Sequence, residues 1–225
     1  MNIFISGGCK NGKSHIAQCC ARALAARTRR PLYYLATMAV RDEEDRRRAA
    51  RHRRERRGWG FTTLEQPRDL CACLARTDVD TDGVFLLDSV TALLAEEMFH
   101  VDNAFGDAGA GARVCRDLQA FADRTGHAVF VSDFICGDAA PAAALSEQYR
   151  RALADADRLL AARCDIVVEV LHGCALTYRG GVQLRKLLSD LPGAAPGEAA
   201  PDQAPSGQTA PGQAIPIVTA EEVPQ

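Results

Sequence analysis

The chain has 225 residues, 47% of them hydrophobic, with 27 Lys and Arg against 29 Asp and Glu and a net charge of −2. That length can bury one sizeable core, and the near-neutral balance gives no global electrostatic case for nucleic acid or an anionic membrane. No apolar run approaches the roughly 18–20 residues of a membrane span, and the first residues lack the charged segment, apolar core and cleavage site of a leader, so a cytoplasmic protein is expected.

Residues 2–6, NIFIS, read as a buried strand that runs into the Gly-rich loop GGCKNGKS and a helix over 13–27. Gly7-x4-Gly12-Lys13-Ser14 has the spacing of a phosphate-binding loop, and strand–loop–helix is the context that motif requires. Backbone N–H groups of Gly7, Gly8, Cys9, Lys10, Asn11 and Gly12 are expected around a β-phosphate, at the positive end of the following helix. Lys13 is expected to reach the β- and γ-phosphate oxygens, and the Ser14 hydroxyl to ligate Mg²⁺. The loop names a ligand class and leaves the reaction open.

Residues 31–37 read as a second strand and residues 42–57 as a charged helix. That helix lies within RDEEDRRRAARHRRERR, nine Arg against five acids. The acids come first and the arginines later, which suits the helix dipole. A solvated, salt-bridged surface helix explains the charge alone. A nucleic-acid-binding helix would want interleaved aromatics, which are missing, and the protein is not basic overall. His52 adds a chemical reading. Arg48 and Arg56 share its face at i−4 and i+4, where they disfavour its protonation and can hold phosphates. A neutral imidazole is a good nucleophile toward phosphorus. Asp45 or Glu55 could orient its ring.

Residues 60–65 read as a short strand and 68–76 as a short helix. Residues 83–89 read as a strand ending in Asp88, the second acid that a phosphate loop needs for its metal shell. Ser89 can cap a helix over 90–99. A helix over 111–125, a strand over 127–133, a helix over 145–163 and a strand over 165–171 follow, and residues 175–180 can pair back antiparallel. Strands alternating with helices of this length predict a mainly parallel sheet covered on both faces. The nine cysteines include no CxxC pair and are expected to be reduced, mostly structural thiols; Cys9, inside the loop, could be activated by its positive potential. Residues 191–225 are rich in Pro, Ala, Gly and Gln and are expected to be a disordered tail. Within it, IPIV (215–218) could dock on a partner.

Several segments together resemble the bifunctional adenosylcobinamide kinase / adenosylcobinamide-phosphate guanylyltransferase family. They are FISGGCKNGKS, YYLATMAVRDEEDRRRAARHRRERRGWGFTTLEQP, VFLLDSVTALLAEEMF, VFVSD and YRRALADADRLLAARCDIVVEVLHG, in the family's order over residues 2–173. The resemblance implies a RecA-like P-loop NTPase fold and a homotrimer. It implies phosphorylation of adenosylcobinamide by ATP or GTP, then transfer of GMP from GTP through a guanylylated histidine at the position of His52. It also implies an acid near the nucleotide at Glu65. The chain departs from the family's common wording at Lys10-Asn11, Glu96, Asp133-Phe134 and Asp157, and by one extra residue between His52 and Glu65. A single-activity kinase, and a regulatory nucleotide-binding protein of the same fold, stay open beside this reading.

Overall fold

The computed structural model describes residues 1–100, 107–135, 144–189 and 215–219, apart from the side chains of residues 48, 51, 52 and 55. Its strands are β1 (Asn2–Gly7), β2 (Leu32–Ala36), β3 (Thr62–Glu65), β4 (Val84–Asp88), β5 (His127–Asp133), β6 (Ile166–Leu171), β7 (Cys174–Arg179) and β8 (Ile217–Thr219). Its helices are α1 (Lys13–Thr28), α2 (Glu43–Glu55), α3 (Val90–Met98), α4 (Ala110–Arg124), α5 (Ala144–Arg163) and α6 (Gly181–Ser189), with a 3-10 turn at Leu70–Ala75.

The strands form one sheet in the order β3-β2-β4-β5-β1-β6-β7-β8. Every pairing from β3 across to β6 is parallel; β7 turns back antiparallel to β6, as the sequence suggests. The central strands are apolar on both faces because both faces are covered. Side-chain alternation sends Phe4 into a core with Leu35, Phe85 and Phe130 under α3, α4 and α5. It sends Ile3 and Ile5 into the opposite core, with Leu86 and Val129 under α1 and α6. This is the expected α/β fold.

The structure differs from the sequence reading in three places. The short helix expected over 68–76 is the 3-10 turn. Helix α6 has no counterpart in that reading, although Leu184, Leu187 and Leu188 recur at helical spacing and are buried. In the segment expected to be a disordered tail, Ile217–Thr219 pairs in parallel with β7, and Ile215 and Ile217 pack on the core. The reason is physical: β7 otherwise presents an open edge of unpaired backbone groups. Residues 190–214 and 220–225 lie outside the described residues.

Candidate functional site

β1 delivers the chain to the phosphate loop at Gly7, and α1 begins at Lys13. A Cβ on Gly7 would lie 2.4 Å from the Val170 carbonyl oxygen and 2.5 Å from Asn11 Nδ2, at φ +150°, so only glycine fits. Gly12 takes φ 97° at the N-cap of α1, and no acid sits in that helix's first turn to offset its positive end. Asn11 has a definite task. Its amide donates to the Val170 carbonyl on β6, and its Oδ1 lies 3.5 Å from Lys13 Nζ. The Lys13 ammonium is 6% exposed and folded back on the loop. It donates to the Gly8 carbonyl at 2.5 Å and forms an ion pair with Asp133 Oδ1 at 2.9 Å.

Asp133 closes β5, and its Cα is in register with Gly7 of β1. Its backbone N–H donates to Thr91 Oγ1 at 2.8 Å, and Phe134 N–H donates to the Gly7 carbonyl at 2.9 Å. Behind it, Asp157 of α5 is pushed up to about 6, first by burial; the Ser132 hydroxyl opposes the shift and the Asp133 carboxylate adds to it. Among the described residues neither Asp157 Oδ1 nor Ser132 Oγ has a hydrogen-bond partner of normal geometry. In the sequence, Asp133 and Asp157 stand out only as departures from a family pattern. The parallel register, invisible in one sequence, is what puts Asp133 against Lys13.

Asp88 closes β4, paired with Ala36 on one side and Val131 on the other. Since β5 lies between β4 and β1, Asp88 stands two strand spacings from the loop strand, about 10 Å. Its Oδ2 accepts from the Tyr34 hydroxyl at 3.2 Å. Ser89 caps α3 by accepting from Ala92 N–H, as expected. Among the described residues no group of three or more His, Cys, Asp or Glu could hold a metal by itself. A hydroxyl at Ser14 and a carboxylate at Asp88 fit Mg²⁺, which keeps several waters and binds largely through nucleotide phosphates.

Helix α2 runs along the surface and is anchored at its two ends. Before it, Glu96 of α3 is buried, accepts from Ala39 N–H at 3.2 Å and pairs with Arg41. After it, Arg56 is buried with its guanidinium 3.4 Å from the centre of the Tyr34 ring. A pocket of about 400 Å³ opens between, lined among others by Tyr34, Arg53, Arg56, Glu65, Asp88 and Ser89. That volume suits a small molecule. Arg53 and Glu65 face each other there at 3.7 Å. The structure therefore brings Arg56, Glu65 and Asp88 to one cavity. Arg48 and His52 lie on α2, but their side chains are outside the described residues.

The remaining histidine beside the loop has a packing role. His15 stands edge-on to Trp59 at 5.8 Å, 3.8 Å from Cys19 Sγ, and burial holds its pKa below the usual value. The eight described cysteines are free thiols; burial pushes Cys19 and Cys73 up to about 11 and Cys164 to about 12. Cys9 is exposed in the loop.

Fold and site together define an α/β protein built around a phosphate-binding loop. The family model for cobinamide kinase / cobinamide phosphate guanyltransferase matches residues 3–178. The chain belongs to that family, whose activities are those of cobalamin biosynthesis. No curated protein matches it. Among solved structures it is similar to the flagellar accessory protein FlaH from Methanocaldococcus jannaschii, at 13% identity and a TM-score of 0.40, over 75% of this chain and 70% of that one. It is also similar to a KaiC-like protein from Pyrococcus horikoshii OT3, at 10% identity and a TM-score of 0.39, over 75% and 71%. No helix among the described residues is long and apolar enough to cross a membrane.

Proposed function

We propose that this protein is a cytoplasmic, homotrimeric enzyme that performs both of its family's reactions. It phosphorylates adenosylcobinamide with ATP or GTP, then transfers GMP from GTP to that phosphate through a guanylylated His52. The observation that carries the proposal is one cavity lined both by Arg53 and Arg56 of the arginine-rich segment and by Asp88, the acid proposed for the metal.

In the first reaction the Lys13 ammonium leaves its oxygen partners on the loop and binds β- and γ-phosphate oxygens. The acceptor oxygen bonds to the γ-phosphorus as the bridge to the nucleoside diphosphate breaks. Ser14 and Asp88 would hold a Mg²⁺ ion, which would supply charge neutralisation for the transferring group. In the second, a ring nitrogen of His52 bonds to the α-phosphorus of GTP while pyrophosphate departs. The cobinamide phosphate oxygen then displaces the histidine from GMP, giving adenosyl-GDP-cobinamide. Arg56 and its neighbours on α2 hold the phosphates during both displacements.

Incubation with GTP carrying ³²P at the α-position tests the histidine step. Wild type is expected to retain acid-labile, base-stable label and His52→Ala none. Equal labelling of the two proteins would refute the assignment.

A further inference from the structure

Asp133 has no part in the chemistry above, yet it occupies a constrained position beside it. Its carboxylate meets the Lys13 ammonium at 2.9 Å. Its backbone is fixed through Thr91 Oγ1 at 2.8 Å, and the next N–H is tied to the Gly7 carbonyl at 2.9 Å. The side chain is 35% exposed, so an acceptor arriving from solvent can touch it. When Lys13 moves onto the γ-phosphate, the carboxylate is left facing the transferring group, with no metal task required of it. Ser14 and Asp88 are the groups proposed above to hold the metal.

We propose that Asp133 is the proton acceptor of the kinase step. This rests on the reading of the protein as a kinase given above. As the acceptor oxygen bonds to the γ-phosphorus, its proton passes to the Asp133 carboxylate; the bond from γ-phosphorus to the bridging oxygen breaks, and its electron pair stays on the departing diphosphate. The position also favours specificity for the acceptor: Phe134, next in the chain, is exposed and apolar.

The experiment compares wild type, Asp133→Asn and Asp133→Glu at saturating ATP, with adenosylcobinamide and separately with water as acceptor. ATP affinity is measured by titration with a fluorescent analogue. Positioned bases contribute roughly 10²–10⁴-fold, so Asp133→Asn should lower kcat about 100-fold or more with both acceptors. Its ATP affinity should stay within about threefold, and Asp133→Glu should recover a measurable part of the rate. A variant that keeps kcat and changes only ATP affinity would mark Asp133 as a latch on Lys13 and overturn the proposal. Restoration of Asp133→Asn by excess Mg²⁺ would mark a metal ligand and overturn it as well. If wild type hydrolyses ATP through Asp133 without phosphorylating adenosylcobinamide, the acceptor assignment fails while the role of Asp133 stands. If neither acceptor is used, both fail.

Discussion

The Arg56 guanidinium lies 3.4 Å from the centre of the Tyr34 ring, and the Tyr34 hydroxyl donates to Asp88 at 3.2 Å. This short chain connects the end of the arginine-rich segment to Asp88, the acid proposed for the metal. A desolvated cation–π contact is worth about 2 kcal/mol, so Arg56→Ala should lower the unfolding free energy by about 1–2 kcal/mol in urea. It should also weaken GTP binding. Unchanged stability and unchanged GTP affinity together would remove Arg56 from the site.

Gly7→Ala should be among the most damaging single changes. The new methyl meets the Val170 carbonyl oxygen at 2.4 Å in a backbone conformation that disfavours side chains. A loss of about 2–4 kcal/mol is expected, with nucleotide binding abolished because the loop must move off β6. Gly8→Ala, where an added Cβ meets nothing within 4 Å, should fold normally. Equal unfolding midpoints for the two variants would contradict the close approach.

Asp157 makes a pH prediction. Its folded pKa, about 6, lies above its ordinary value of 3.8, chiefly through burial. Folding therefore favours the protonated form. Stability contributed by that proton is present below about pH 4 and is lost as pH rises through about 6. Asp157→Asn should then stabilise the protein at pH 8 by up to about 3 kcal/mol and leave it unchanged at pH 4. Urea unfolding at the two pH values provides the comparison, and a gain of the same size at both would rule out this origin.

The β8 strand closes the edge of β7 and brings Ile215 and Ile217 onto the core. A chain ending at Ser189 should lose about 1–3 kcal/mol and expose a strand edge open to self-association. Light scattering at rising concentration should show it. A truncated chain as stable and as monodisperse as the full one would make β8 dispensable.

Much of this is legible in the sequence, for reasons particular residues make plain. NIFIS and VFLLD are apolar on both faces and bounded by Gly-rich or capping residues, so strand, loop and helix N-terminus follow from local chemistry. Asn11 does not: its choice makes sense only because β6 pairs beside β1 and places the Val170 carbonyl within reach. Asp133 is hidden for the same reason, since its partnership with Lys13 depends on register between strands far apart in the chain. The burial of Arg56 against Tyr34, just past α2, runs against a reading of the whole arginine-rich segment as solvated. The β8 strand is masked by its Pro- and Ala-rich surroundings, in which IPIV carries a short run of β-branched apolar residues.

The central claim is that one site serves two displacements at phosphorus, with Lys13 for the γ-phosphoryl group and His52 for the α-phosphoryl group. It is tested most directly by incubating the protein with adenosylcobinamide, ATP and GTP and resolving the corrinoid products by mass. Wild type should give adenosylcobinamide phosphate and then the GDP-linked corrinoid. His52→Ala should stop at the phosphate, and Lys13→Ala should give neither. A GDP-linked product from His52→Ala, or phosphorylation by Lys13→Ala at the wild-type rate, would contradict the account.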